Sequence, residues 1–360
     1  MTAEIGVADV PALLAGAEFY STSAAGEGIE FAGPWLEDIL AHTGPVRLVP
    51  AAELPPDTPC AAIGGMGSTT AMAELPPSGD EPVTLARSLA MAGGRRLGAV
   101  MPLNAASVNA LFPVAAAAVL GLPLIDCDGM GRVFPLIHQT TYELAGLSLS
   151  PLAVVSAGHD SLLLDTGSAR AEQLARSMAQ AAGGWLMCGM YQTRAGRLRD
   201  AAIHGSVSRV LEVGRVLCEG GPLDRLLRGL AGAAGASVLG GGRVVEIGPS
   251  VRQAGTVYPG NPVGMVVHDL GTGRLIRLEA HNELVLALAD GALVAAVPDL
   301  LCLLDRGTLR MTGTERLAAG DLVDVLRVPA APVWHSVPGL ALGGPGAFGF
   351  PLRHPGEGAR

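Results

Sequence analysis

A chain of 360 residues is long enough for two hydrophobic cores, and this one is 49% hydrophobic but only 4% aromatic. The net charge is −9, and all 24 basic residues are arginines because the sequence contains no lysine. An acidic chain is not expected to bind nucleic acid, which requires a basic face, and the absence of lysine excludes Schiff-base catalysis.

The first half of the chain alternates helical and strand-like patterns. Apolar residues recur at the spacing of a helix over residues 8–19, 34–42, 82–91 and 104–120. Short apolar runs typical of strands occupy residues 46–49, 60–63, 97–101 and 123–125. Strand, helix, strand in this order predicts a parallel sheet, in which ligands bind beyond the carboxyl ends of the strands. Two polar segments follow predicted strands: residues 64–70, predicted as a glycine-rich loop, and residues 126–128.

The second half of the chain changes character. Helices are predicted over residues 165–182 and 206–219, and short strands over residues 243–247, 264–267, 275–278 and 284–288. Asp290-Gly291, between two apolar runs, predicts a hairpin turn. The sequence therefore predicts an α/β protein with an N-terminal domain, residues 1–165, built on a parallel or mixed sheet. The C-terminal domain, residues 166–360, is predicted to be α+β and rich in strands from about residue 240 to 330.

The cysteine pattern and the apolar runs predict where the protein resides. The five cysteines are far apart and form no Cys-x-x-Cys pair, which favours a reducing cytoplasm over a disulfide framework. The longest apolar run, residues 112–125, is shorter than a membrane span and contains proline and glycine. The first residues lack the basic segment of a signal peptide. We therefore expect a soluble, cytoplasmic protein that does not contact a membrane.

Two carboxylates directly follow the predicted strand 123–125. Asp126 and Asp128 are separated by one residue, so both can reach one divalent metal or one basic group of a ligand, and the glycines after them allow close approach of the backbone. The structural alternative is that Asp126 caps the following turn and Asp128 pairs with Arg132. Spacing alone does not decide between the two interpretations.

The histidines and the glycine-rich segment are weaker candidates. His138 and His204 stand among small polar residues, but no histidine has a partner at the spacing of a zinc protease, so a metal site would require distant segments. Either histidine can equally be an ordinary hydrogen-bonded residue. The segment 64–70 lacks the lysine of a Walker loop. Backbone N–H groups that hold a carboxylate or an imide oxygen are therefore a better interpretation there than nucleotide binding.

Residues 122–135 resemble the signature of the DUF917 group, also described as S-methyl-thiohydantoin desulfurase-like, in which Asp-x-Asp-Gly-Met-Gly-Arg ends in Phe-Pro. Further matching segments follow in family order at residues 282–285, 290–291, 297–302 and 343–349. The resemblance covers residues 60–350. It implies a two-part protein and a metal-dependent hydrolytic desulfurase that acts on a thiohydantoin ring, with zinc as the expected metal. Such a metal polarises a ring carbon–sulfur or carbon–oxygen centre and lowers the pKa of a bound water, and a carboxylate or histidine moves the proton.

The chain departs from the family pattern at three places. Residues 19–24 replace a glycine-rich run, and Asn104 and Leu136 stand where relatives carry acidic residues. The lost carboxylates favour an alternative in which the chain is a non-catalytic small-molecule binder, or an enzyme that tailors a ring by another reaction.

On the hydrolase hypothesis, the motifs and the resemblance together give roles to nine residues. The metal ligands are predicted to be Asp126, Asp128 and His204. The catalytic residues are predicted to be Asp128, His204 and His138. The contacts to the substrate are predicted to be Asn104, Asn109, Gly67, Ser68 and Arg132. The expected partner is a cyclic imide or thioimide, and the helices rich in alanine and leucine favour a homo-oligomer.

Overall fold

The computed structural model describes residues 3–21, 28–250 and 263–358. The chain divides into two compact units. The N-terminal unit comprises Met1–Ala17, Glu27–Gly131 and Leu136–Leu211. The C-terminal unit comprises Glu18–Gly26, Arg132–Pro135 and Glu212–Arg360. In the described ranges, none of the helices combines the length and the apolar character needed to cross a membrane.

The N-terminal unit contains an eight-stranded sheet and a separate two-stranded pair. Its strands are β1 (Ala3–Ile5), β2 (Val46–Val49), β3 (Pro59–Gly67), β4 (Ala99–Pro102), β5 (Leu124–Ile125), β6 (Cys127–Asp128), β7 (Leu152–Val155), β8 (Ser161–Leu164), β9 (Trp185–Arg194) and β10 (Ile203–His204). The helices that lie in it or begin in it are α1 (Val10–Phe19), α2 (Ala32–Thr43), α3 (Thr69–Glu74), α4 (Glu81–Gly93), α5 (Val108–Leu120), α6 (Thr141–Leu144), α7 (Ser168–Ala181), α8 (Leu198–Ala201) and α9 (Ser206–Glu219).

The large sheet has the order β1-β2-β5-β4-β3-β9-β7-β8. The four strands β2, β5, β4 and β3 run parallel, and the strands on either side of them pair antiparallel. Helix α5 packs on β3 and β4, and α4 packs on β7 and β9. Strands covered in this way are apolar along their whole length, and all four residues of β4 are buried. The predicted parallel or mixed sheet is confirmed.

The prediction of a loop at residues 64–70 is wrong for its first part. Strand β3 continues to Gly67 because it pairs with β9 along its length, from Gly64 opposite Cys188 to Gly67 opposite Trp185. Glycine is required there by packing, since a Cβ atom on Gly64 would lie 2.9 Å from the Cβ atom of Leu103. These glycines therefore admit neighbouring side chains, and they are not the backbone cradle of a phosphate loop.

The C-terminal unit is built on a second eight-stranded sheet, with the order β15-β14-β13-β12-β11-β18-β16-β17 and only antiparallel pairs. Its strands are β11 (Ser237–Pro249), β12 (Val263–Asp269), β13 (Leu275–Ala280), β14 (Leu284–Ala289), β15 (Ala292–Ala296), β16 (Leu300–Asp305), β17 (Met311–Thr312) and β18 (Leu322–Val328). Its complete helices are α10 (Leu223–Ala234) and α11 (Val337–Gly343). The α/β class with a β-rich second half is confirmed.

The predicted hairpin lies between β14 and β15. Asp290 has φ 47° and Gly291 has φ 84°, and two successive positive φ angles are the mark of the type I′ turn that matches the twist of paired strands. The core of this sheet is aliphatic and includes Val244, Leu278 and Val325, each with no exposed surface.

Candidate functional site

Asp126 follows β5 and caps the start of α9. Its carboxylate accepts hydrogen bonds from the backbone N–H of Val207 at 2.9 Å, the backbone N–H of Ser208 at 3.1 Å and the Ser208 hydroxyl at 2.6 Å. Helix N-termini leave such N–H groups without an acceptor, and a carboxylate there also meets the positive end of the helix dipole. Asp126 therefore joins the end of a parallel strand to α9.

Asp128 is fully buried and organises the turn that follows β6. Oδ2 accepts the backbone N–H groups of Ala105 and Gly131, each at 2.9 Å, and Oδ1 accepts the hydroxyl of Ser206 at 2.8 Å. Burial raises the pKa of the Asp128 carboxyl more than these hydrogen bonds lower it. The carboxylate thus satisfies three donors from three separate segments.

The predicted substrate contacts in the N-terminal unit also make internal hydrogen bonds. Asn104 is buried, donates to Met130 Sδ at 3.4 Å and accepts the N–H of Ala106 at 3.2 Å. Asn109 Oδ1 accepts the N–H of Gly65. Ser68 caps α3 through Ala71, at 3.4 Å.

The predicted histidines lie in two different surroundings. His138 Nδ1 is 3.9 Å from Glu172 Oε2, and Glu172 also accepts the N–H of Ile137 at 2.7 Å and Arg176 Nε at 2.6 Å. His204 is exposed, with Nε2 at 3.0 Å from the carbonyl oxygen of Arg199.

The structure brings Asp126 and His204 to the same cavity, but it does not gather all the predicted ligands at one point. The cavity has a volume of about 740 Å³, and both residues line it. Within the described ranges, Asp126, Asp128 and His204 do not form a group with metal-binding geometry, and no hydrogen bond or ion pair joins His138 to either aspartate.

A different group of three potential metal ligands lies in the C-terminal unit: Asp299, His335 and His354, whose ligand atoms all lie within 4.8 Å of one another. Asp299 precedes β16, His335 ends a short 3-10 helix before α11, and His354 lies beyond α11. The Nε2 atom of His335 is 3.1 Å from Asp299 Oδ1, and that of His354 is 3.4 Å from Asp299 Oδ2. Asp299 is completely buried, and His354 is 4% exposed.

Hydrogen-bond donors surround the Asp299 carboxylate. Arg327, on β18, donates from Nε to Oδ2 at 2.6 Å, and the N–H of Ala330 donates to Oδ1 at 2.9 Å. Burial acts to raise the pKa of Asp299, but the hydrogen bonds from His354, Ala330 and Arg327 outweigh it and hold that pKa well below its usual range. The carboxylate is therefore ionised at every physiological pH.

Among the predicted site residues that the structure describes, Arg132 contacts the group of Asp299, His335 and His354. Its Nη1 donates to the carbonyl oxygens of Asp299, at 2.6 Å, and Pro298, at 3.3 Å, while Nε donates to Val133 at 3.1 Å. The guanidinium is 2% exposed and lies 5.1 Å from the ring centre of Phe134. Burial lowers the pKa of Arg132. Its Nη2 has no hydrogen-bond acceptor among the described residues.

The sequence carried only a partial signal for this site. The Pro298-Asp299 pair falls inside one of the segments that resemble DUF917, residues 297–302, but no spacing in that segment gives Asp299 a chemical role. His335 and His354 stand in no recognisable spacing, and His354 lies outside the range of the resemblance. One further contact explains the Phe-Pro end of the signature: Phe134 packs on Trp334, with ring centres 4.7 Å apart, next to His335.

The donor set fits a divalent metal such as zinc. One carboxylate and two imidazoles are ligands that zinc uses in catalytic sites, where a further position stays open for water or substrate. Two atoms bound to a tetrahedral zinc at about 2.0–2.1 Å lie about 3.4 Å apart. The Asp299–His335 and Asp299–His354 separations of 3.1 and 3.4 Å are close to this value. Arg327 and Ala330 would remain as the groups that orient the carboxylate.

Comparison with known proteins agrees with the signature. No curated protein matches the chain. A crystal structure of a protein from Chromobacterium violaceum has a similar fold, with a TM-score of 0.75 and 22% identity over 94% of this chain and 95% of that one. The sequence profile of the S-Me-THD-like N-terminal domain matches residues 8–166, and that of the S-Me-THD-like C-terminal domain matches residues 166–355. The chain therefore belongs to the S-Me-THD-like family, also described as DUF917.

Proposed function

We propose that this protein is a metal-assisted hydrolase that acts on a five-membered thiohydantoin- or hydantoin-like ring, with Asp299, His335 and His354 as the metal ligands. The observation that carries the proposal is the fully buried Asp299 carboxylate, which faces two imidazole Nε2 atoms at 3.1 and 3.4 Å. The family name supports the substrate class. Zinc is the proposed metal because the donor set combines nitrogen and oxygen atoms.

The metal would supply a Lewis acid and a bound water of lowered pKa. The residues of the chain have separate tasks. Asp299 keeps its negative charge because Arg327 and Ala330 stabilise the ionised carboxylate. His335 and His354 would hold the metal through their Nε2 atoms. Arg132 is buried and held by two carbonyl oxygens, and its Nη2 has no acceptor among the described residues. This N–H group would stabilise negative charge on the ring oxygen or sulfur.

Loss of the two histidines tests the proposal. We expect purified protein to retain about one zinc per chain, and the His335→Ala and His354→Gln variants to lose it. Turnover of S-methyl-thiohydantoins or hydantoins should fall by at least about 10²-fold in both variants. The His42→Ala variant is the matched control, since His42 is exposed on α2. Melting temperatures of all variants show whether the fold is kept.

The zinc content of variants also distinguishes the Asp299 site from the metal site that the sequence predicted near Asp126. If zinc is lost in the Asp126→Ala and His204→Ala variants and kept in His335→Ala, the metal binds near β5 and the assignment to Asp299 is wrong. If no variant or loading condition gives bound metal, the metal mechanism is wrong altogether.

A non-catalytic small-molecule binder is the second candidate function. Two observations favour it: Asp299 already pairs with Arg327 at 2.6 Å, and Asn104, where relatives carry an acidic residue, makes two internal hydrogen bonds. On this hypothesis, the protein binds a cyclic imide with unchanged affinity after chelation, and no ring-opened product forms. Calorimetry before and after chelation distinguishes the two functions.

A further inference from the structure

The cavity of about 740 Å³ in the N-terminal unit is a second place where a ligand can bind. Its volume falls within the range of roughly 300–1,000 Å³ that is usual for small-molecule sites. It lies where β2 and β5 end, because Pro50 directly follows β2 and Asp126 directly follows β5. In sheets of this kind, ligands bind beyond the carboxyl ends of parallel strands.

The walls of the cavity are fixed by backbone hydrogen bonds. The N–H of Gly196 donates to the carbonyl oxygen of Pro56 at 2.9 Å, which ties the segment after β9 to the segment after β2. The N–H of Gly205 donates to the carbonyl oxygen of Asp126 at 2.9 Å, which ties the start of α9 to the end of β5. A cavity with walls held in this way is formed before any ligand arrives, so binding requires little ordering of the chain.

The lining combines apolar and charged residues. Pro50, Leu54 and Pro56 are apolar. Arg199 and Asp200, neighbours on α8, supply a positive and a negative group. Asp126 and His204 also line the cavity. The Asp126 carboxylate accepts the N–H groups at the start of α9, so its charge is compensated. The Nε2 atom of His204 is 3.0 Å from the carbonyl oxygen of Arg199.

A ligand that matches these three features has a carboxylate, an ammonium group and an apolar body. We infer that the cavity binds a free amino acid with an apolar side chain, whose carboxylate pairs with Arg199, whose ammonium group pairs with Asp200 and whose side chain packs on Pro50, Leu54 and Pro56. This site uses residues of the N-terminal unit alone, and it does not depend on the hydrolytic function proposed for Asp299.

Isothermal titration of the full chain with leucine tests the inference. Leucine should bind, whereas isocaproate, which lacks the ammonium group, and isoamylamine, which lacks the carboxylate, should each bind at least about tenfold more weakly. Aspartate, whose second carboxylate would replace the apolar side chain against Pro50, Leu54 and Pro56, should also bind more weakly. Absence of leucine binding at millimolar concentration, or equal binding of isocaproate and leucine, would overturn the inference.

Variants of Arg199 and Asp200 test whether these side chains contact the leucine. Arg199→Gln and Asp200→Asn should each weaken leucine binding by about tenfold or more, because each removes one charge partner of the zwitterion. Both positions are exposed, so the substitutions leave the fold intact. Arg197→Gln is the matched control, since Arg197 is an exposed neighbour that does not line the cavity. If Arg197→Gln weakens binding as much as Arg199→Gln does, attraction is nonspecific and the assigned contact is wrong.

Discussion

The Asp299→Ala variant is expected to be about 3 kcal/mol less stable than the wild-type chain at neutral pH, measured by denaturant unfolding in the presence of a chelator. The substitution removes the acceptor of Arg327 and Ala330 and leaves the positive group of Arg327 without its partner, and breaking a buried pair from one side is costly. The chelator makes this loss independent of metal binding. The Asp57→Ala variant, which removes an exposed ion pair with Arg194, should change stability little.

The pH dependence of this loss has a definite sign. The pKa of Asp299 is lowered from 3.8 in the folded chain, so its contribution is fully present above the unfolded pKa and is lost as pH falls through the folded one. The difference between wild type and Asp299→Ala should therefore be constant around neutral pH and shrink below about pH 4. A difference that grows on acidification would show that the carboxylate is not stabilised in its ionised form.

Much of the fold could be predicted because local patterns and the tertiary structure agree. Strand β2 was predicted at residues 46–49 as it is observed, and the Asp290-Gly291 turn follows from the conformational preference of that pair alone. Helix α5 begins at Val108, later than the predicted start at residue 104, because Asn104 and Ala105 are held in the turn around Asp128. The local spacing of apolar residues gives no information about such a long-range contact.

The region between residues 152 and 194 was the least predictable part of the N-terminal unit. Strands β7, β8 and β9 lie there, and none was predicted. Strand β9 is buried over its first seven residues, and an apolar run of this kind reads equally well as a helix or a strand. Its pairing with β3 makes this segment a strand, and β3 is more than a hundred residues earlier in the chain. The same pairing makes a strand of the β3 glycines, whose sequence is typical of a loop, while the close approach of Leu103 to Gly64 explains why glycine is needed.

The candidate site, like the fold, could be predicted only where local sequence decides the structure. The Asp-x-Asp-Gly-Met-Gly-Arg segment was predicted to carry chemistry. In the structure its two aspartates make hydrogen bonds that hold backbone segments, and its arginine reaches the Pro298-Asp299 turn. A sequence shows which side chains are polar, but it does not show how many donors each carboxylate will satisfy. Three ligands spread over residues 299–354 become a group only when β16, β18 and the segments around α11 are placed by the fold.

Asp128 offers the sharpest test of whether the signature aspartates are structural. The Asp128→Ala variant should lose about 2–4 kcal/mol, because the N–H groups of Ala105 and Gly131 and the hydroxyl of Ser206 lose their buried acceptor. The Asp128→Asn variant should be at least as stable as wild type at pH 7. An asparagine oxygen can accept the two backbone N–H groups, and its NH₂ can donate to the Ser206 hydroxyl, which keeps its own bond to the Ile203 carbonyl oxygen at 2.7 Å.

The contribution of Asp128 to stability changes with pH in the opposite direction to that of Asp299. Burial raises the folded pKa of Asp128, so the protonated form is favoured by folding, and this contribution is lost as pH rises through the folded pKa. The advantage of Asp128→Asn should therefore grow with pH and disappear in acid. If Asp128 only shapes the turn, Asp128→Asn keeps both zinc and turnover. An Asp128→Asn protein that folds like wild type but loses zinc would instead place this carboxylate among the metal ligands, as its position in the signature first predicted.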